Sequence, residues 1–156
     1  MGINFPEGQQ DGPFDGNFAG DYGNAVAIST FSTWTDIGLQ TGDITIKDQT
    51  SIIMYWGSLS TEVDGASTGH GVCRVRYSTD SGSNWTTHYP YNMTGSNDNS
   101  IGNGFAGYMD HDLAAGTTFR LKCDYRCNGS SGNQTVADTG PGFAPLTRLF
   151  LLEVNS

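Results

Sequence analysis

Residues 117–127 (TTFRLKCDYRC) alternate without a break. Phe119, Leu121, Cys123 and Tyr125 share one parity; Arg120, Lys122, Asp124 and Arg126 share the other. Successive side chains of a β-strand point to opposite faces, so this run is a strand with one buried and one wetted face. Residues 71–77 repeat the pattern, with Cys73, Val75 and Tyr77 against Arg74 and Arg76. Half-buried strands of this kind belong to antiparallel sheets. No segment carries a 3.6-residue apolar stripe long enough for a helix. The 22 glycines, about twice the usual share, fit many tight turns.

Nine strand-like pieces follow one another: Ala25–Thr35, Asp43–Lys47, Ser51–Ser60, Gly71–Ser78, Trp85–Tyr89, Gly104–Asp110, Thr117–Cys127, Gln134–Ala137 and Leu146–Val154. Gly, Asn, Asp, Ser or Pro clusters separate most of them. The expectation is an all-β domain over 25–156, a single antiparallel sandwich, jelly roll or barrel of about eight or nine strands. Ile52–Trp56 and Leu149–Leu152 are apolar at both parities, which suits central strands or strands that also face a partner subunit. Ile53, Tyr55, Leu149 and Leu151 are the residues expected at such an interface.

Residues 1–24 read instead as an extended arm. They hold six glycines, two prolines and four acids (Glu7, Asp11, Asp15, Asp21) with no Lys or Arg. Ile3, Phe5, Pro6, Phe14, Phe18 and Tyr22 punctuate the segment. A solvated linker has little use for such anchors, whereas an arm that docks on another surface fills pockets with them.

The formal charge of −9 argues against nucleic acid as a direct partner, because a phosphate-binding surface needs many cations. An anionic membrane is disfavoured for the same reason. The start of the chain has neither a basic nor an apolar signal-peptide region, so no Sec export is expected. Cys73, Cys123 and Cys127 leave at least one thiol unpaired. Cys123 and Cys127 are four apart on one strand, about 13 Å, too far for a disulfide. Buried thiols acting as small hydrophobes are expected.

Ser78-Thr79-Asp80-Ser81-Gly82-Ser83-Asn84-Trp85 matches the Asp-box pattern S-x-D-x-G-x-x-W. Its physics is structural. Asp80 satisfies turn amides with Ser78 beside it, Gly82 takes the strained backbone position and Trp85 packs underneath. Met109-Asp110-His111-Asp112 sets three potential ligands in a row, but neighbours on a strand face apart, and His70 and His88 lack partners at metal-ligand spacing. No metal and no cofactor are expected. No G-x-S-x-G elbow and no paired carboxylates on a recognisable scaffold stand out, so no catalytic residue and no enzyme activity are expected. Trp85, Tyr89, Tyr91, Phe105 and Tyr108 either stack on sugars or pack beneath their own loops.

The order of several pieces resembles a group of small tailed-phage virion proteins of marine and cyanobacterial phages. They are Ile3-Asn4-Phe5-Pro6-Glu7-Gly8-Gln9-Gln10-Asp11, Trp34-Thr35-Asp36-Ile37-Gly38-Leu39, Ile44-Thr45-Ile46, the strand from Ser51, Ala115–Leu121 and Leu149–Val154. The resemblance touches both ends and the middle of the chain; the Asp-box hairpin and the cysteines are not part of its pattern. It implies a trimeric jelly roll of the tumour-necrosis-factor type. It also implies a role as a homotrimeric capsid decoration (cement) protein that binds the phage major capsid protein in the virion. The alternative it implies is the receptor- or glycan-binding head of a tail fibre or tail spike, with a host-surface glycan or receptor as partner.

Overall fold

The computed structural model describes residues 18–22, 26–28, 33–63, 69–97, 101–128, 134–136 and 147–154. Among these the strands are β1 (Phe18–Tyr22), β2 (Val26–Ile28), β3 (Thr35–Gln40), β4 (Ile44–Thr45), β5 (Ile52–Val63), β6 (Gly69–Ser78), β7 (Thr86–Asn97), β8 (Ile101–Asp110), β9 (Thr118–Asn128), β10 (Gln134–Val136) and β11 (Arg148–Val154).

Eight of them build two four-stranded antiparallel sheets. The first runs β1-β11-β5-β8 and the second β3-β9-β6-β7. The chain crosses between them as it proceeds: β1, then β3, back to β5, over to β6 and β7, back to β8, over to β9 and back to β11. This is the double Greek key of a jelly roll. Short pieces close the ends: β4 pairs with β9, and β2 with β10. At its far end β5 pairs with β10 and, in parallel, with β7, linking the sheets at a corner.

Strand parity decides the core. From β9 it takes Phe119, Leu121, Cys123, Tyr125 and Cys127; from β6, Cys73 and Val75; from β3, Ile37 and Leu39. The first sheet contributes Ile53, Tyr55, Leu59, Phe105, Met109, Leu149 and Leu151. Two glycines allow close approach. A Cβ on Gly71 would lie 1.8 Å from the Tyr125 hydroxyl, and one on Gly107 would lie 2.4 Å from that of Tyr55. The three thiols are buried and unbridged. A hydrogen bond with Cys73, together with burial, raises the Cys123 thiol well above its usual range, and burial lifts Cys127 to about 11, so neither is a ready nucleophile.

Two expectations are corrected here. Phe18–Tyr22, read as the end of the arm, is the first strand of the jelly roll, paired with β11 from Phe18↔Leu152 to Tyr22↔Arg148. Ile3, Phe5, Pro6 and Phe14 lie outside the described residues. Ile53, Tyr55, Leu149 and Leu151 cannot form a subunit interface: they are 0%, 2%, 0% and 0% exposed within the chain's own core, leaving no area for a sister copy to cover.

Candidate functional site

The residues that do face outward on the first sheet have the opposite parity. Cross-strand register places them in four rows over β11, β5 and β8. They are Val154–Ile52–Asp110, Leu152–Met54–Tyr108, Phe150–Trp56–Ala106 and Arg148–Ser58–Gly104. Met54, Trp56 and Tyr108 are 43%, 39% and 63% exposed. The Trp56 and Phe150 rings stack, with centroids 5.6 Å apart. Beside them Trp56, Gly57, Ser58, Arg148 and Phe150 line an open recess of about 220 Å³. Gly57 cannot gain a side chain, since a Cβ there would lie 2.5 Å from the Phe105 ring and 2.6 Å from the Arg148 carbonyl. The face is apolar across its middle rows, with Asp110 and Arg148 at diagonal corners. A continuous apolar sheet face of this kind marks a surface built for contact.

A tyrosine cluster lies where β7 and β8 border the gap between the sheets. The Tyr55 and Tyr91 hydroxyls are 2.6 Å apart, and Tyr91 donates to the Ala106 carbonyl at 3.1 Å. Tyr91 also packs on Tyr89 and Phe105, with centroids 5.1 and 5.2 Å away. Burial pushes the Tyr55 phenol, and less strongly that of Tyr91, above the usual range. Tyr89, at the mouth of the cluster, is 55% exposed.

The second sheet presents charge instead. Arg74, Arg76, Arg120, Lys122 and Arg126, five of the seven Lys and Arg residues, share its outer face. Asp124 organises them. Its Oδ2 accepts from Arg74 at 2.7 and 3.0 Å and from Arg76 at 3.1 Å, and its Oδ1 lies 3.3 Å from Lys122 Nζ. Lys122 also donates to Asp36 at 2.8 Å. Burial raises the Asp36 carboxyl, but that hydrogen bond and one from the Gly38 amide outweigh it and leave the group lowered. Trp34 packs against the Arg74 and Arg126 guanidiniums, and Trp85 against Lys122. Asp43 pairs with Arg120, so three carboxylates stand against five cations and the face keeps a net positive charge.

The Asp-box residues meet in the hairpin between β6 and β7. Ser78 Oγ donates to Asp80 Oδ1 at 2.7 Å and accepts from the Gly82 amide at 2.9 Å. Asp80 accepts from the Asn84 amide at 2.8 Å and from the Asn84 side chain at 2.6 Å. These bonds hold the Asp80 carboxyl down at about 2. Ser81 and Gly82 both take positive φ, 55° and 90°. Arg76 donates to the Trp85 carbonyl at 2.7 Å, fastening the hairpin to the charged face. Trp85 is therefore engaged by Arg76 and Lys122, and Tyr91 by Tyr55 and Ala106, so neither stands free as a sugar platform.

Sequence reasoning did not single out Ser51, His111 and Glu153 as a group. Ser51 Oγ lies 2.7 Å from Glu153 Oε1 and 3.2 Å from His111 Nε2. This triplet has the membership of a hydrolase triad but not its polarity. The Leu113 amide donates to His111 Nδ1 at 3.3 Å, so the neutral ring carries its proton on Nε2 and cannot take one from Ser51. The serine hydrogen has two acceptors, Glu153 and the Asp48 carbonyl, each at 2.7 Å. The group is a loop clamp. Among the described residues no three His, Cys, Asp or Glu side chains form a metal-sized cluster.

No protein-family model and no curated protein matches the chain. Among solved structures it is similar to Eiger TNF from S. frugiperda, at 8% identity and a TM-score of 0.43, over 89% of this chain and 92% of that one. It is also similar to chains of infectious bursal disease virus. For the Gx strain the identity is 11% and the TM-score 0.46, over 90% of this chain and 37% of the viral one. For the Gt strain the identity is 11% and the TM-score 0.45, over 90% of this chain and 38% of the viral one. The chain thus spans well under half of the virus chains it matches.

Proposed function

We propose that this chain is a structural, non-enzymatic virion protein: a homotrimeric capsid decoration protein whose N-terminal segment grips the phage head. The observation that carries the reading is the outward apolar face of the first sheet. Met54 and Trp56 stand exposed among the partly buried Ile52, Phe150, Leu152 and Val154, an arrangement a lone molecule in water has no use for. Assembly into a closed ring covers such a face. It also adds burial to a core drawn from a chain in which Leu, Ile, Val and Phe are fewer than one residue in five. The acidic, aromatic-bearing segment before Phe18 complements a basic patch on a shell protein and supplies anchors for its pockets.

Counting the chain in purified virions tests the role. Hundreds of copies are expected of a decoration protein. A few dozen or fewer would replace this role with that of a tail or fibre part.

A further inference from the structure

A ring of three needs two different patches on each copy, because a patch that pairs with itself closes at two. The first sheet offers two that differ in shape. One is the recess between Trp56, Ser58, Arg148 and Phe150, with the backbone of Gly57 at its floor. The other is the β8 edge. Among the described residues β8 pairs in register only with β5; no further strand lies on its outer edge, where side chains of β7 meet the carbonyls of Ala106 and Tyr108. From that edge Tyr108 projects, 63% exposed. Its backbone is steadied by His88, whose Nε2 lies 3.2 Å from the Tyr108 carbonyl.

Charge points the same way. In a chain of formal charge −9, two copies can meet closely only where acids are scarce. The outward face has one acid and one cation among its twelve positions: Asp110, two residues from Tyr108 on the same side of β8, and Arg148, at the recess. Arg148 has no carboxylate within ion-pair distance among the described residues, and neither has Asp110 a cation. A projecting phenol beside an acid matches an aromatic recess beside a guanidinium.

We propose that the occupant of this face is a second copy of the chain. Tyr108 of one copy enters the Trp56–Phe150 recess of the next, and Asp110 pairs with that copy's Arg148. This deepens the homotrimer reading above and rests on it.

The experiment is sedimentation velocity at micromolar concentration on Asp110→Arg, Arg148→Asp, the double variant and Tyr108→Ala, with circular dichroism to verify the β fold. Each charge reversal sets like charges against each other across the contact. Expected are at least tenfold weaker association for each single variant, near wild-type association for the double variant, and weakened association for Tyr108→Ala. If wild type is trimeric and the single reversals leave it so, or the double variant fails to recover, this contact is overturned while the trimer stands. If wild type is a monomer, the homotrimer reading fails first and this contact with it. A dimer obeying the same charge-swap pattern would retain the contact and overturn the ring of three.

Discussion

The backbone amide of Lys47 donates to both oxygens of the Glu153 carboxylate, at 2.8 and 3.1 Å, across 106 positions of sequence. Glu153 is 0% exposed and also accepts from the Asp48 amide at 3.2 Å and from Ser51 Oγ. A buried carboxylate is tolerated only with its lone pairs filled, and here the loop between β4 and β5 fills them. The carboxylate thereby ties that loop to the last strand of the fold.

Replacing Glu153 with Ala strands two backbone donors inside the protein. The expected loss is about 3 kcal/mol, with a smaller loss for Glu153→Gln, which keeps one acceptor oxygen. Urea denaturation checks this. An unchanged midpoint for Glu153→Ala would mean that the clamp contributes nothing.

Asp124 holds Arg74, Arg76 and Lys122 on the outer face of the second sheet, with its own side chain 4% exposed. Asp124→Ala leaves Arg74 and Arg76 without their counter-ion beside Lys122, which keeps Asp36, and a loss of about 3 kcal/mol is expected. The loss should shrink in Asp124→Ala combined with Arg74→Met, because one repelling charge is removed. Equal thermal stabilities for the two would count against electrostatics as the cause.

Gly71→Ala places a methyl group against the Tyr125 ring, a fully buried side chain. Overpacking of this severity is expected to cost about 2–4 kcal/mol or to displace Tyr125. Gly104→Ala on β8 meets nothing within 4 Å and serves as the control. Comparable melting temperatures for the two variants would contradict the packing described.

Asp80 titrates at about 2 in the folded hairpin, below the usual carboxylate value of 3.8. A lowered folded-state value means that the hairpin's contribution to stability is complete above about pH 4 and is lost as pH falls through about 2. Carboxyl-detected NMR titration of Asp80 should give a midpoint near 2 that disappears with Asp80→Asn. A midpoint near 3.8 would show that the Ser78, Asn84 and backbone bonds do not favour the ionised form.

The first strand begins at Phe18, so the two possible truncations should behave differently. Removal of residues 1–17 is expected to leave a folded trimer that no longer binds capsids. Removal of residues 1–24 also takes away β1 and uncovers the edge of β11, and it is expected to lower stability or solubility. Capsid pull-down and thermal melting separate the two. Undiminished capsid binding by the shorter truncation would take the N-terminal segment out of the grip.

The fold was legible where polarity alternates. The charged and apolar parities of β9 and β6 fix both the sandwich and the inward side of its second sheet. The outward side of β5 and β11 was not legible, because both parities there are apolar. The charge nearest to hand misleads: Glu153 shares its parity with Leu149 and Leu151, and reading it as wetted turns those two leucines outward. The loop donors of Lys47, Asp48 and Ser51, over a hundred residues away, make the inward side tolerable for that carboxylate. β1 was hidden differently. Its glycine and acid suit an arm, and its strand character comes from pairing with β11 rather than from its own residues. In the Asp box, by contrast, every partner lies within the octet itself, so the hairpin is written locally.

The most direct measurement is the mass of the purified full-length chain in solution at micromolar concentration, by sedimentation equilibrium, for wild type and for Trp56→Lys. The wild type should have three times the 16.7 kDa of one chain, and the variant should be a folded monomer, because a lysine at the centre of the apolar face cannot be covered by a sister copy. A well-folded wild-type monomer, or a Trp56→Lys trimer as tight as wild type, would contradict burial of that face between copies.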